Sequence, residues 1–193
     1  MLPADDVLVA GLRSGDEATF ARLLDSWSAS MLRLARSFVS TDASAEDVVQ
    51  DTWLAVIRGV AGFQGNSSLR TWVYRILVNT AKKRGVREQR TVPWSDAGPT
   101  VDPERFRGPG DDYPGHWRDF PEPWVLDGEF RQVVGRALGE LPTRQRIVVT
   151  LRDVEGHSAE EVCALLEIST ANQRVLLHRG RAFVRARIEE YYR

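Results

Sequence analysis

The sequence predicts an all-α protein made of two small helical domains joined by a long linker. Three observations predict it. Apolar residues recur at three- and four-residue steps on both sides of the middle of the chain, as they do on the inward face of a helix. No stretch sustains the alternation of a half-buried strand. Seven of the nine prolines lie between Pro93 and Pro123, among glycines and acids, a composition that supports neither helix nor strand. The resulting division is a first domain at 1–90, a linker at 91–128 and a second domain at 129–193.

In the first domain, Phe20, Leu23, Leu24, Trp27, Met31, Leu34, Ala35 and Phe38 mark one helix. "DASAEDVVQDTWLAVIRGV" follows, with Ser44 and Asp47 spaced like a capping box and Val48, Val49, Trp53, Leu54 and Ile57 as its apolar face. "GFQGNSS" breaks the pattern, and "LRTWVYRILVNTAKKRGVREQR" resumes it as a third long helix.

In the second domain, "EFRQVVGRALGEL" is helical, and Pro142 opens a further helix that Gly156 ends. Ser158 and Glu161 form a capping box for a short helix with Val162, Leu165 and Leu166 facing inward. After a turn of about three residues, Ser169 caps a long last helix. Short helix, tight turn and longer helix is the helix-turn-helix pattern. Glycine is usual in such a turn, whereas this chain has Glu167; either the turn differs slightly or a modest left-handed strain is tolerated.

Composition narrows the function. The 193 residues and 42% hydrophobic content suit soluble domains, and the lone Cys163 excludes an internal disulfide. No run approaches a bilayer span, and "MLPADDVLVAGLRSGDE" has acids where a signal peptide has basic residues. Both point to the cytoplasm. His116, His157 and His178 are scattered, and His157 with Glu160 or Glu161 lacks a third ligand. We therefore expect no catalytic residues, metal, cofactor or small-molecule substrate.

The net charge of -1 argues against a nucleic-acid binder that works through bulk charge, but the distribution is uneven. Residues 70–90 hold seven basic side chains and one acidic, and 169–188 hold five arginines and no acid. With Ser169 as cap, Leu177, Gly180, Val184 and Ile188 form an inward stripe. Ala171, Arg174, Val175 and His178 then face outward, with Asn172 and Arg179 alongside. Such donors, acceptors and small apolar groups suit the major groove of DNA. Base edges fall to Asn172, Arg174 and Val175, and phosphates to Arg179 and Arg181, near the positive helix N-terminus.

"EDVVQDTWLAVIRGVAGFQGNSSLRTWVYRILVNTAKKR" and "LPTRQRIVVTLRDVEGHSAEEVCALLEISTANQRVLLHRGRAFVR" together resemble a bacterial sigma factor of the extracytoplasmic-function (ECF) type, in the sigma-70 family. The resemblance implies the promoter-recognition subunit of RNA polymerase, with region 2 first and region 4 last. It places the clamp helices of the polymerase β' subunit on "AEDVVQDTWL", through Asp47, Gln50, Asp51, Trp53 and Leu54. It assigns melting and reading of the -10 element to Gly65, Asn66 and Ser67 as a base-capture loop, with Asn79 as a polar wall. Arg70, Arg75, Lys82, Lys83 and Arg84 would hold the backbone. Trp72 and Tyr74 fit either stacking or the core, and helical spacing favours the core for Trp72. The second domain would read the -35 element through Ser169, Ala171, Asn172, Arg174, Val175, His178, Arg179 and Arg181.

The implied partners are core RNA polymerase (β and β' subunits), promoter DNA and an anti-sigma factor. The implied location is cytoplasmic, nucleoid-associated in the holoenzyme or held at the membrane by an anti-sigma factor. The linker, with net charge -5, would thread the polymerase channel, although Trp94, Trp117 and Trp124 are unusual for a tether. "NQRVLL" replaces the common "TVKSRL", so the -35 sequence does not follow by analogy. The alternative is a stand-alone helix-turn-helix regulator. It would account for the second domain and leave "GFQGNSSLRTWVYRILVNTAKK" without a role.

Overall fold

The computed structural model describes residues 2–88 and 128–191, which form eight α-helices and no strand. The chain divides into two units, Met1–Pro93 and Trp94–Arg193. Nearly all of the 91–128 linker, including its three tryptophans, lies outside the described residues.

The first unit contains α1 (Asp5–Ser14), α2 (Glu17–Ala35), α3 (Asp42–Gly59) and α4 (Leu69–Arg87), with a 3-10 turn at Val60–Gly62. Local chemistry sets each boundary. Gly15, at φ 73°, ends α1, and the Asp16 carboxylate accepts from Thr19 N–H to start α2. The cap of α3 is Thr41, not Ser44: its hydroxyl accepts from Ser44 N–H, and Ser44 is buried in the first turn. Helix α3 packs on α2 and α4, and α1 on α2 and the 3-10 turn. A Cβ on Gly11 would stand 2.6 Å from Thr19 Oγ1, so the close approach of α1 to α2 requires glycine there. Tyr74 is fully buried, its hydroxyl 2.6 Å from that of Ser30.

The second unit contains α5 (Gly128–Glu140), α6 (Thr143–Val149), α7 (Ala159–Leu166) and α8 (Thr170–Tyr191). Sequence periodicity predicts one helix from Pro142 to Gly156. The α-register in fact ends at Val149, and a π-type turn, Thr150–Val154, takes over, with Glu155 N–H donating to Thr150 C=O. The capping box forms as expected: Ser158 Oγ accepts from Glu161 N–H, and the Glu161 carboxylate accepts from Ser158 N–H. Glu167 adopts the left-handed conformation (φ 61°, ψ 46°), so the turn keeps the usual backbone and carries the strain. Ser169 Oγ accepts from Asn172 N–H at the start of α8. Helices α5, α6 and α7 all pack on α8. Where α8 crosses α6, a Cβ on Gly180 would lie 2.5 Å from Val149 Cγ2.

Candidate nucleic-acid and protein interfaces

On the first unit, α2 and α3 diverge around an apolar cleft of about 550 Å³. Phe20, Leu24, Ala29 and Leu32 line it from α2, and Val49, Trp53, Leu54 and Ile57 from α3, with Ser28, Glu46 and Gln50 as polar members. Trp53 is nearly buried: its ring stacks on Trp27 at 6.4 Å, meets Phe20 edge-on at 5.6 Å, and its indole N–H donates to Ser28 Oγ. Leu54 and Ile57 remain 42% and 49% exposed, so the apolar face of α3 extends past what the core covers. A cleft of this kind suits the apolar side of a partner helix.

The five residues that the resemblance assigned to polymerase are therefore divided. Gln50, Trp53 and Leu54 line the cleft. Asp51 is exposed outside its lining. Asp47 accepts from Arg84 of α4 at 2.8 Å. Arg84 also donates to Glu88, whose carboxylate accepts from the N–H and hydroxyl of Ser40. These bonds, led by the Ser40 hydroxyl, lower the Glu88 carboxyl to about 2 and raise Arg84 above its ordinary value, chiefly through Glu88. Arg84, expected to hold a DNA backbone, thus joins α3, α4 and the turn before α3. The cleft residues on α2 were missed from the sequence; Leu54 and Ile57, which widen the apolar face of α3, were the available signal.

The loop from Phe63 to Ser68 connects the 3-10 turn to α4. Gly65 has φ 74°, and Gln64, Gly65 and Asn66 are exposed. Asn66 donates to Gln64 Oε1, which adds Gln64 to the candidate loop. Phe63 packs on Trp72 at 5.2 Å, leaving Trp72 half-buried against the stem of the loop. Helix α4 presents Arg75, Asn79 and Lys83 at four-residue spacing on its exposed side, with Lys82 beside them. Arg70 instead lies over the Tyr74 ring at 5.3 Å.

On the second unit, the exposed surface of α8 is narrower than predicted. Arg174 and Arg179 are exposed, and Ala171 and His178 half-exposed, with Ser169 and Thr170 open at the start. Val175 and Asn172 are only 4% and 8% exposed, and Gln173 is buried. The four-residue inward stripe underestimated the packing, because a helix contacted by three others buries more than one face. Val175 and Asn172, expected to read base edges, are thus largely packed against the rest of the unit. Arg181, expected at a phosphate, makes two bonds from its guanidinium to Asp153, and both side chains are largely buried. Burial, aided by the charge of Arg179, pushes the His178 imidazole below its usual range, so it is neutral at pH 7 and offers one donor and one acceptor.

Burial likewise pushes the Cys163 thiol up, keeping it protonated. Among the described residues no group of three or more His, Cys, Asp or Glu side chains converges as a metal site, and no helix is long and apolar enough to cross a membrane.

The sigma-70 region 2 family pattern matches residues 23–91, and the sigma-70 region 4 pattern matches 131–184. The chain is 31% identical over 191 residues to the ECF RNA polymerase sigma-E factor of Escherichia coli (strain K12), covering 98% of this chain and 96% of that protein. It is 32% identical over 177 residues to the RNA polymerase sigma-H factor of Pseudomonas aeruginosa, covering 92% and 90%. In fold it is similar to CnrH, solved in complex with the cytosolic domain of CnrY (TM-score 0.59, 24% identity, 97% of this chain and 99% of that one). It is also similar to the sigma factor RpoE of Bartonella quintana, solved with the anti-sigma factor NepR (TM-score 0.55, 22% identity, 88% and 96%).

Proposed function

The chain belongs to the sigma-70 family, in its extracytoplasmic-function class, and from that premise we propose how its two units divide promoter recognition. As a sigma factor it binds core RNA polymerase and directs it to promoters, a transcription-factor role and not an enzymatic one. The observation that carries this function is the presence of region 2 and region 4, in order, on one chain that matches sigma factors over nearly its full length.

In this proposal residues 1–90, 91–128 and 129–193 act as region 2, linker and region 4. The α2–α3 cleft receives core polymerase, through Gln50, Trp53, Leu54 and Ile57. The Gln64–Ser67 loop captures an unstacked -10 base, and Asn79 walls the pocket. Arg75, Lys82 and Lys83 hold the phosphates. On α8, Arg174 is the base-reading residue, His178 a neutral hydrogen-bonding neighbour, Arg179 a phosphate contact, and Ser169 and Thr170 contacts at the positive helix end. The protein works in the cytoplasm with polymerase. An anti-sigma factor that covers the same cleft would hold it inactive, and the RpoE–NepR complex supports that class of partner.

Run-off transcription from fragments of the source genome, using the full chain and bacterial core polymerase, tests the proposal. Specific transcripts are expected, and each should weaken on Asn79→Ala or Arg174→Ala. Specific transcripts indifferent to both substitutions would overturn the assignment of the reading surfaces.

A further inference from the structure

Helix α1 reaches the two ends of the candidate capture loop. Near its C-terminus, Arg13 donates from Nε to Val60 C=O at 3.2 Å and from a terminal nitrogen to Phe63 C=O at 2.6 Å. At its N-terminus, the Asp5 carboxylate accepts from Leu69 N–H at 2.7 Å. Leu69 opens α4, where backbone N–H groups lack helical partners. Ser68 satisfies the Thr71 donor within the same chain segment, and Asp5 satisfies the Leu69 donor across 64 residues of sequence. Arg13 likewise adds charge-assisted bonds to the carbonyls of Val60, which opens the 3-10 turn, and Phe63, which follows it. The two residues are separated by about 12 Å along the helix, at about 1.5 Å per residue. Helix α1 therefore spans the loop as a strut, bonded to both ends and leaving Gln64, Gly65 and Asn66 exposed between them.

We propose that Arg13 and Asp5 are positioning residues that hold the 64–67 loop in a base-accepting conformation; this rests on the base-capture role proposed above. The loop turns at Gly65, in a left-handed conformation, and its own hydrogen bonds are few. Without fixed ends it would have to order itself while binding, and that ordering subtracts from affinity for the base. The strut comes from outside the matched region 2 segment, which begins at residue 23. Both residues are exposed, although the Arg13–Val60 and Leu69–Asp5 bonds are part-buried, and neither side chain belongs to the apolar core, so substitution should leave the helical core intact.

The test uses holoenzyme reconstituted from the full chain and core polymerase. The probes are non-template-strand oligonucleotides from a promoter mapped by run-off transcription, each carrying an abasic site at one -10-region position. Wild type should prefer one intact base over its abasic counterpart by about fivefold or more. Arg13→Ala and Asp5→Ala should reduce that preference to about twofold or less, leave the salt dependence of binding unchanged, and lower Tm by under about 3 °C. Asp5→Asn, which keeps an acceptor oxygen, should retain it. An intact preference in both alanine variants would overturn the strut. So would Arg13→Ala reducing the salt slope by about 1 with the preference intact, since Arg13 would then be a phosphate ligand. A wild type with no abasic penalty at any position, and none altered by Asn66→Ala, would remove the capture loop itself.

Discussion

The Arg181 guanidinium meets the Asp153 carboxylate through two bonds, Nε to Oδ2 at 3.0 Å and a terminal nitrogen to Oδ1 at 2.6 Å. Asp153 lies in the π-type turn after α6, and Arg181 midway along α8. The pair ties α8 to the scaffold and engages an arginine that looked, in sequence, like a phosphate contact. Removing one partner strands a largely buried charge. Arg181→Ala should therefore destabilise the second unit by about 3 kcal/mol in urea denaturation. A phosphate-contact role predicts the opposite pattern, unchanged stability and a smaller salt dependence of promoter binding.

Glu167 pays a conformational cost at the helix-turn-helix corner, and glycine should remove it. Glu167→Gly is expected to stabilise the second unit by about 0.5–1 kcal/mol, read as a raised Tm. Glu167→Ala keeps the Cβ and should give no such gain, which separates backbone strain from charge.

The crossing of α6 and α8 is set by Gly180 against Val149. The added methyl of Gly180→Ala would overlap Val149 Cγ2 and cost about 1–3 kcal/mol. Adding Val149→Ala should recover part of that loss, giving a non-additive double-mutant cycle in chemical denaturation. Additive losses would mean that the two residues do not meet.

Glu88 gives the first unit a defined acid limb. Its folded-state carboxyl lies at about 2, against an ordinary value of 4.5, because the charged form accepts bonds from Ser40 and Arg84. A depressed carboxyl contributes stability in full above the unfolded value, and loses it as pH falls from about 4.5 toward 2. Thermal melts across that window should show a shallower decline in Glu88→Gln than in wild type.

Much of the helical architecture was legible because local signals agreed with each other: helical periodicity, the Ser158–Glu161 capping box and the Ser169 cap. The misses have physical causes. Thr41 displaced Ser44 as the α3 cap because its hydroxyl reaches the Ser44 amide, and a register one turn earlier leaves no periodic trace. The π-type turn has no sequence period of its own, so the meeting of Asp153 with Arg181, 28 residues apart, was invisible. Val175 and Asn172 were placed outward because a single-helix pattern cannot count how many neighbours will pack on it. The α1 strut was missed for a similar reason, since Arg13 and Asp5 act on backbone groups that carry no sequence signature.

The measurement that bears most directly on the central claim is binding of the purified full chain to bacterial core RNA polymerase, compared with its Leu54→Glu variant. Leu54 is already 42% exposed on the rim of the α2–α3 cleft, so a charge there should spare the fold while opposing an apolar partner. The wild type should co-elute with core polymerase, and Leu54→Glu should weaken association by about tenfold or more, at unchanged Tm. Absence of wild-type binding, under conditions where a reference sigma factor binds, would contradict the account.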